Sequence, residues 1–253
     1  MADVGGKIVL VTGASRGIGR ATAIAFLKAG AKTVLAARDA GRLAQTIADA
    51  GAPAEQALAV ACDVTDAADV DRLFAAVADR FGRLDAVFNN AGANMPGTDF
   101  GDVSLEDWRK VMAVNLDGCF LIARGAYRMM REQSPKGGRI INNGSISAYA
   151  PRPGSVAYTT SKHAISGLTR TISLDGRKHD IACGQIDIGN AATDMAARMA
   201  DGVPQADGTI RPEPLMDVAH VADMVVHMAA LPLSANVQSV TVMATKMPFV
   251  GRG

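Results

Sequence analysis

The stretch that decides the fold is KIVLVTGASRGIGRATAIAFLKAG, residues 7–30. Its apolar run at 7–12 predicts a buried β-strand, and the periodicity over 17–30 predicts a helix with Gly30 as its C-cap. A turn rich in glycine separates the two. A strand that passes through such a turn directly into a helix is typical of the first unit of an open α/β sheet.

The same alternation of apolar runs and helical patterns continues along the chain. Further strands are predicted at 32–37, 56–64, 83–92, 138–145, 181–188 and 237–243, and further helices at 39–51, 66–82, 105–131, 155–178 and 217–230. Alternating strands and helices form parallel sheets covered on both faces. We therefore expect an α/β, three-layer Rossmann fold with a seven-stranded parallel sheet. No repeat or linker marks a second unit, so a single domain over 1–253 is expected.

The composition of the chain bears on which partners the protein is expected to bind. The 253 residues carry a formal net charge of +1 from 26 basic and 25 acidic side chains, with no basic cluster. The sequence therefore gives no support to a nucleic-acid or membrane partner. Three scattered cysteines favour reduced thiols and a cytoplasmic location, and neither a signal peptide nor a membrane-spanning run is expected. The four histidines show no metal-ligand spacing, so no metal is predicted.

The glycine-rich turn predicts a dinucleotide site. Gly13, Gly17 and Gly19 are spaced GxxxGxG. Glycine permits a tight turn, lets the backbone approach a pyrophosphate and lets the helix pack close to the sheet. The N–H groups at the start of the helix can then bind phosphate oxygens.

Four motifs that follow the glycine-rich turn in the sequence contain polar residues suited to a functional site. NNAG spans 89–92, Asn115 lies in VNLDG, Ser145 lies in NGSIS, and AYTTSK contains Tyr158 and Lys162. Together with TGASRGIG at 12–19, this set resembles the short-chain dehydrogenases/reductases over nearly the whole chain. The resemblance implies an NAD(P)-dependent oxidoreductase that interconverts a carbonyl and an alcohol.

The resemblance also implies the site residues. The catalytic set is Asn115, Ser145, Tyr158 and Lys162. The cofactor-binding set is Gly13, Ser15, Arg16, Gly17, Ile18, Gly19, Arg38, Asp63, Val64, Asn90, Ala91, Gly92, Tyr158, Lys162, Gly189 and Thr193.

Each catalytic residue type suits a step of carbonyl chemistry. Tyr158 and Lys162 would share one helix face, where the ammonium favours the tyrosinate and allows general acid–base catalysis. Ser145 ends a predicted strand and could donate to the substrate oxygen. The resemblance assigns Asn115 to a water that links Lys162 to solvent. Taken singly, Ser145 could still be a turn residue and Asn115 a buried amide.

The end of the second strand favours NADP. Ala37 occupies the place where NAD-preferring members of the family carry an aspartate, and Arg38 follows it. Arg16 and Arg38 could both bond to a 2′-phosphate. NAD is the alternative cofactor, because Asp39 could reach the ribose if the strand extended by one or two residues.

Two segments depart from the family pattern. Gly189 and Thr193 keep the family spacing after the sixth strand, but Ile188 replaces a proline and Asp187 precedes it. Asp187 could be a structural hydrogen-bond partner or a specificity element. The segment 190–215 is predicted as a substrate lid, although an exposed loop is an equal interpretation of its proline-rich part at 200–215.

The C-terminal MPFV, 247–250, would have to be exposed or tucked in, and the resemblance implies a homotetramer.

The leading function is an NADPH-dependent ketone or 3-oxoacyl-type reductase acting on a small molecule. The alternatives are an NAD-dependent alcohol dehydrogenase and a non-catalytic dinucleotide-binding sensor or scaffold.

Overall fold

The computed structural model describes residues 3–196 and 198–250. Its strands are β1 Ile8–Thr12, β2 Lys32–Ala37, β3 Ala57–Ala61, β4 Ala86–Asn89, β5 Gly138–Asn143, β6 Ile181–Gly189, β7 Val203–Pro204, β8 Ile210–Arg211 and β9 Ser239–Met243. Its α-helices are α1 Gly17–Lys28, α2 Ala40–Ala50, α3 Ala67–Phe81, α4 Leu105–Met112, α5 Cys119–Glu132, α6 Val156–Asp175, α7 Arg198–Asp201 and α8 Val218–Ala230.

Seven strands form one parallel sheet in the order β3-β2-β1-β4-β5-β6-β9, which confirms the predicted Rossmann architecture. One apolar cluster packs α1, α2 and α8 on one face of the sheet, and a second packs α3 and α5 on the other. All five residues of β1 are buried, as expected for a strand covered on both faces. No helix within the described ranges combines the length and apolarity needed to cross a bilayer.

The helix predicted at 105–131 is interrupted. A π-helical turn, Ala113–Gly118, joins α4 to α5. Gly118 lets this turn approach the loop after β3, since a Cβ at that position would lie 2.7 Å from Val64 Cγ2. Such π-helical turns occur often at functional sites, and this one contains Asn115.

The segment 200–215 is neither a plain loop nor a fully exposed one. It contains the end of α7 and the short antiparallel pair β7–β8, and Glu213 within it is buried.

Candidate functional site

The candidate site residues lie at the carboxyl edge of the parallel sheet. The chain order reverses between β1 and β4, which are neighbours at the centre of the sheet. Open α/β sheets bind ligands in the crevice at this switch point. The turn after β1, the loop after β4 and the loop after β5 all open onto it.

The three glycines form a cradle that a side chain would fill. Gly13 and Gly17 have positive φ angles of 66° and 52°, which favour glycine. A Cβ at Gly19 would overlap the Gly13 carbonyl oxygen, and one at Gly17 would lie 3.3 Å from the Thr193 methyl carbon. The turn after β1 therefore packs closely against the first turn of α1, and the Thr193 side chain lies beside Gly17.

The start of α1 is suited to an anion. Its N-cap residue, Arg16, gives no side-chain acceptor to the helix, and its first turn contains no acidic residue. The first N–H groups of a helix have no intrahelical partner. Ser15 and Ile18 flank these groups, and Ile18 packs against the core. The residues therefore fit the pyrophosphate of a dinucleotide.

Arg38 directly follows β2, where the 2′-phosphate of NADP is predicted to lie. β2 ends at Ala37, and Asp39 accepts a hydrogen bond from the Arg42 N–H as the N-cap of α2. The strand extension that would bring Asp39 to a ribose therefore does not occur. Neither Arg16 nor Arg38 forms an ion pair with another described residue, and both are exposed.

Asp63 follows β3 on the same edge. Hydrogen bonds from the Thr65 N–H and hydroxyl, with Arg38 nearby, lower the pKa of Asp63 below its ordinary value. The N-cap of α3 is Asp66, so Asp63 does not cap that helix. Val64, next to it, is buried.

The loop after β4 forms the floor between the glycine turn and β5. Asn90 donates to the Thr12 carbonyl over 2.9 Å and accepts from the Asn143 amide over 2.8 Å. The Ala91 N–H donates to the Thr12 hydroxyl over 3.0 Å. Gly92 lies close to Asn115, whose amide oxygen would be 3.5 Å from a Cβ built at that glycine.

Tyr158 and Lys162 lie on successive turns of α6. The Lys162 Nζ lies 5.5 Å from the centroid of the Tyr158 ring and donates to the Asn143 carbonyl over 2.7 Å. Lys162 is buried and Tyr158 is half-buried. The buried ammonium therefore lies close to an accessible phenol, which is the pair of groups that the predicted acid–base step requires.

Ser145 begins the 3₁₀ turn Ile146–Ala148 after β5. Its Oγ accepts from the Ser147 N–H over 3.1 Å, which leaves the hydroxyl proton to donate, and its own N–H donates to Asp187 Oδ1 over 3.0 Å. Tyr149, at the other end of the turn, also donates to Asp187. One carboxylate therefore contacts the turn at both ends.

Asn115 connects the loop after β4 to α6. Its Oδ1 accepts from the Ala93 N–H over 2.7 Å, and its Nδ2 donates to the Ala93 carbonyl and to the Ser161 hydroxyl over 3.0 and 3.1 Å. Ser161 directly precedes Lys162. The structure thus bonds Asn115 to the residue that precedes the lysine and gives its amide protein partners.

Sequence reasoning missed a buried cluster that joins the segment predicted as a lid to Arg152. Arg152 donates from two nitrogens to the Glu213 carboxylate, and the Asn190 and Gln205 amides donate to it over 2.8 and 3.0 Å. Burial by itself raises the pKa of Glu213, but these hydrogen bonds together lower it to about 2. One member of the cluster lies at a position with a local feature in the sequence. Asn190 follows Gly189 and has a positive φ of 49°, which asparagine tolerates.

The C-terminal segment is partly tucked in, as one of the two expectations allowed. Met247 is buried against Ile146 of the Ser145 turn, whereas Val250 is 83% exposed. The ring of Phe249 meets the ring of Tyr149 edge-on at a centroid distance of 6.5 Å. The tail therefore covers the outer side of the turn that carries Ser145.

The described residues contain neither a cluster of metal-ligand side chains nor an exposed thiol. In the described part of the chain, no group of three or more histidine, cysteine or acidic residues could hold a metal ion. Cys62, Cys119 and Cys183 are buried and free, and burial raises the pKa of each thiol. They are therefore poor nucleophiles.

Comparison with known proteins identifies a family that this chain matches. The family model described as short chain dehydrogenase matches residues 7–203. The 3beta-hydroxysteroid dehydrogenase of Mediterraneibacter gnavus is 36% identical over 195 residues, which cover 76% of this chain and 68% of that protein. The 3-oxoacyl-[acyl-carrier-protein] reductase of Synechocystis sp. is 35% identical over 194 residues, covering 76% and 77%.

Solved structures extend the likeness to nearly the full length. The 3-ketoacyl-(acyl-carrier-protein) reductase from Brucella melitensis, complexed with NADH, has a TM-score of 0.85 at 25% identity and covers 96% of this chain and 98% of that one. A metagenomic short-chain oxidoreductase in complex with NADP has a TM-score of 0.80 at 27% identity, covering 96% and 99%.

The fold and the site define a Rossmann-type protein with a dinucleotide cradle beside a tyrosine–lysine pair. Within that class, the chain belongs to the short-chain dehydrogenase/reductase family.

Proposed function

We propose that this chain is an NADPH-dependent reductase of ketones or 3-oxoacyl-type substrates, able to run in reverse as an alcohol dehydrogenase. The observation that carries the proposal is the Lys162 ammonium held 5.5 Å from the Tyr158 ring. The names of relatives from Synechocystis sp. and Brucella melitensis support the 3-oxoacyl class, and the steroid dehydrogenase supports cyclic ketones.

The roles follow from the positions of the side chains. A bound reduced nicotinamide supplies the hydride that the carbonyl carbon accepts. Tyr158 donates its proton to the carbonyl oxygen, and the buried charge of Lys162 stabilises the tyrosinate that remains. Ser145 donates a hydrogen bond to the same oxygen and stabilises the negative charge that develops there. Asn115 holds the loop after β4 against α6 and keeps the proton path at Lys162 in place.

The cofactor is held by the cradle. Gly13, Gly17 and Gly19, with the start of α1, bind the pyrophosphate. Arg38 and Arg16 bind the 2′-phosphate that distinguishes NADP, and the small side chain of Ala37 offers no carboxylate to a free ribose. The remaining proposed cofactor contacts come from the ends of β3, β4 and β6, at Asp63, Val64, Asn90, Ala91, Gly92, Gly189 and Thr193.

The segment 190–215 acts as the substrate lid, fastened by the Arg152–Glu213 pair. The chain forms one catalytic domain over 1–253 and works as a cytoplasmic homotetramer. The tetramer and the location rest on family resemblance.

The test is turnover with both cofactors. Purified protein is assayed over a panel of ketones, 3-oxoacyl thioesters and alcohols, and reduced nicotinamide is followed by absorbance. We expect reduction of at least one carbonyl class with NADPH preferred over NADH. Binding of either cofactor without turnover across the panel would favour the sensor or scaffold alternative instead.

A further inference from the structure

Asp187 is a fully buried carboxylate in β6 that accepts four hydrogen bonds. Its Oδ1 accepts from the Ser145 N–H over 3.0 Å and from Gln185 Nε2 over 2.6 Å. Its Oδ2 accepts from the Tyr149 and Ser239 hydroxyls over 2.8 and 3.1 Å. An ionised carboxylate has about four acceptor sites, so the hydrogen-bonding capacity of Asp187 is fully used.

The donors are neutral groups. Within residues 3–196 and 198–250, no lysine or arginine forms an ion pair with Asp187. A buried charge is costly unless hydrogen bonds satisfy it. Removing one of the four donors would leave a buried acceptor less satisfied, which costs free energy.

Two of the four donors are the ends of one short turn. Ser145 starts the turn and Tyr149 closes it, and each bonds to a different oxygen of the same carboxylate. Gly144 makes this approach possible, because a Cβ there would overlap Asp187 Oδ1 and lie 2.7 Å from Gln185 Nε2. The absence of a side chain at Gly144 thus allows the carboxylate of Asp187 to contact the turn directly.

We propose that Asp187 is the positioning residue for Ser145. By holding the Ser145 N–H and the Tyr149 hydroxyl, it fixes the turn and so the direction of the serine hydroxyl. This inference rests on the proposed function, because Ser145 must donate to a substrate oxygen for its direction to affect the rate. A displacement of about 1 Å at such a group can cost about 100-fold in rate.

The first experiment compares Asp187→Ala with Asp187→Asn. The alanine variant leaves the Ser145 N–H without its acceptor, so kcat should fall by about 10- to 100-fold with the cofactor Kd unchanged. The asparagine variant keeps an oxygen for Ser145 and Gln185, and its amide can donate to the two hydroxyls. It should therefore recover most of the rate.

The same substitution made in a Ser145→Ala variant distinguishes a positioning role of Asp187 from a general loss of structure. In Ser145→Ala protein there is no hydroxyl to aim, so adding Asp187→Ala should leave kcat at the Ser145→Ala level. If Asp187→Ala lowers the rate by the same factor in both backgrounds, Asp187 does not act through Ser145 and the proposal is refuted.

Tyr149→Phe and Ser239→Ala form a matched pair. Each removes one hydroxyl from Asp187 Oδ2, but only Tyr149 belongs to the turn that carries Ser145. We expect Tyr149→Phe to lower kcat and Ser239→Ala to leave it near the wild-type value. Equal effects would overturn the proposal, and this pair decides it if Asp187→Ala does not fold.

Hydrogen exchange gives a readout that needs no turnover. The backbone amides of 144–150 should exchange faster in Asp187→Ala, or in Tyr149→Phe, than in wild type and Ser239→Ala. If wild-type protein shows no turnover, the proposed function fails and exchange alone decides the positioning. Unchanged exchange in 144–150 would then refute it.

Discussion

Replacing Glu213 with glutamine should loosen the lid segment and remove a component of the pH dependence of stability. The carboxylate is 1% exposed and receives hydrogen bonds from Arg152, Gln205 and Asn190. Burial raises its pKa, but those bonds lower it overall, from an ordinary value of 4.5 to about 2. The folded protein therefore binds this proton more weakly than the unfolded chain does.

The sign and size of the effect follow from linkage. A carboxyl whose pKa is lower in the folded state stabilises the protein fully above the unfolded value of 4.5, and this stabilisation is lost as the pH falls toward about 2. The difference corresponds to at most about 3 kcal/mol of unfolding free energy. Removing one partner of a buried pair costs a similar amount, because Arg152 keeps its charge.

The assay is urea unfolding of wild type and Glu213→Gln between neutral pH and about pH 2. The unfolding free energies should differ by about 3 kcal/mol at neutral pH and converge as the pH falls. Glu106→Gln is the control, since Glu106 pairs with Lys110 on the exposed surface of α4 and should matter little. A wild-type advantage that stays constant down to pH 2 would refute the reasoning.

The remaining predictions concern the cofactor and the assembly. Arg38→Asp should weaken NADP binding by about 10- to 100-fold and NAD binding much less. The control variant Arg42→Asp should preserve the preference for NADP over NAD. Equal losses for both cofactors with Arg38→Asp would contradict the assignment. Gly19→Ala should weaken both cofactors in fluorescence titrations, because its Cβ would overlap the Gly13 carbonyl, whereas Gly167→Ala enters open space and should bind normally. Light scattering should give four times the chain mass, and a monomer at micromolar concentration would refute the tetramer.

Most of the fold could be predicted because its signals are local. The periodicity of apolar residues located all seven strands of the main sheet, and β2 has the predicted bounds. The prediction of a continuous helix was wrong where tertiary packing produced a local irregularity that the apolar periodicity does not reveal. The helix at 105–131 keeps its periodicity through the π-helical turn, so nothing in the pattern indicated that Asn115 would lie in an irregular segment.

The parts of the site that could not be predicted depend on pairs far apart in the chain. Arg152 and Glu213 are separated by 61 positions, and Asp187 and Tyr149 by 38. No spacing rule connects such residues. Asp187 could be recognised as unusual in the sequence, but only the structure shows that it bonds to both ends of the Ser145 turn.

The central claim is that Tyr158 is the proton donor of a carbonyl reductase. The most direct measurement is the rate of NADPH oxidation by Tyr158→Phe and by wild type on the best carbonyl substrate, together with the cofactor Kd of each. We predict that kcat falls by about 10²- to 10⁴-fold while the Kd changes little, because phenylalanine removes the proton and leaves the ring. Activity of Tyr158→Phe close to that of wild type would contradict the account.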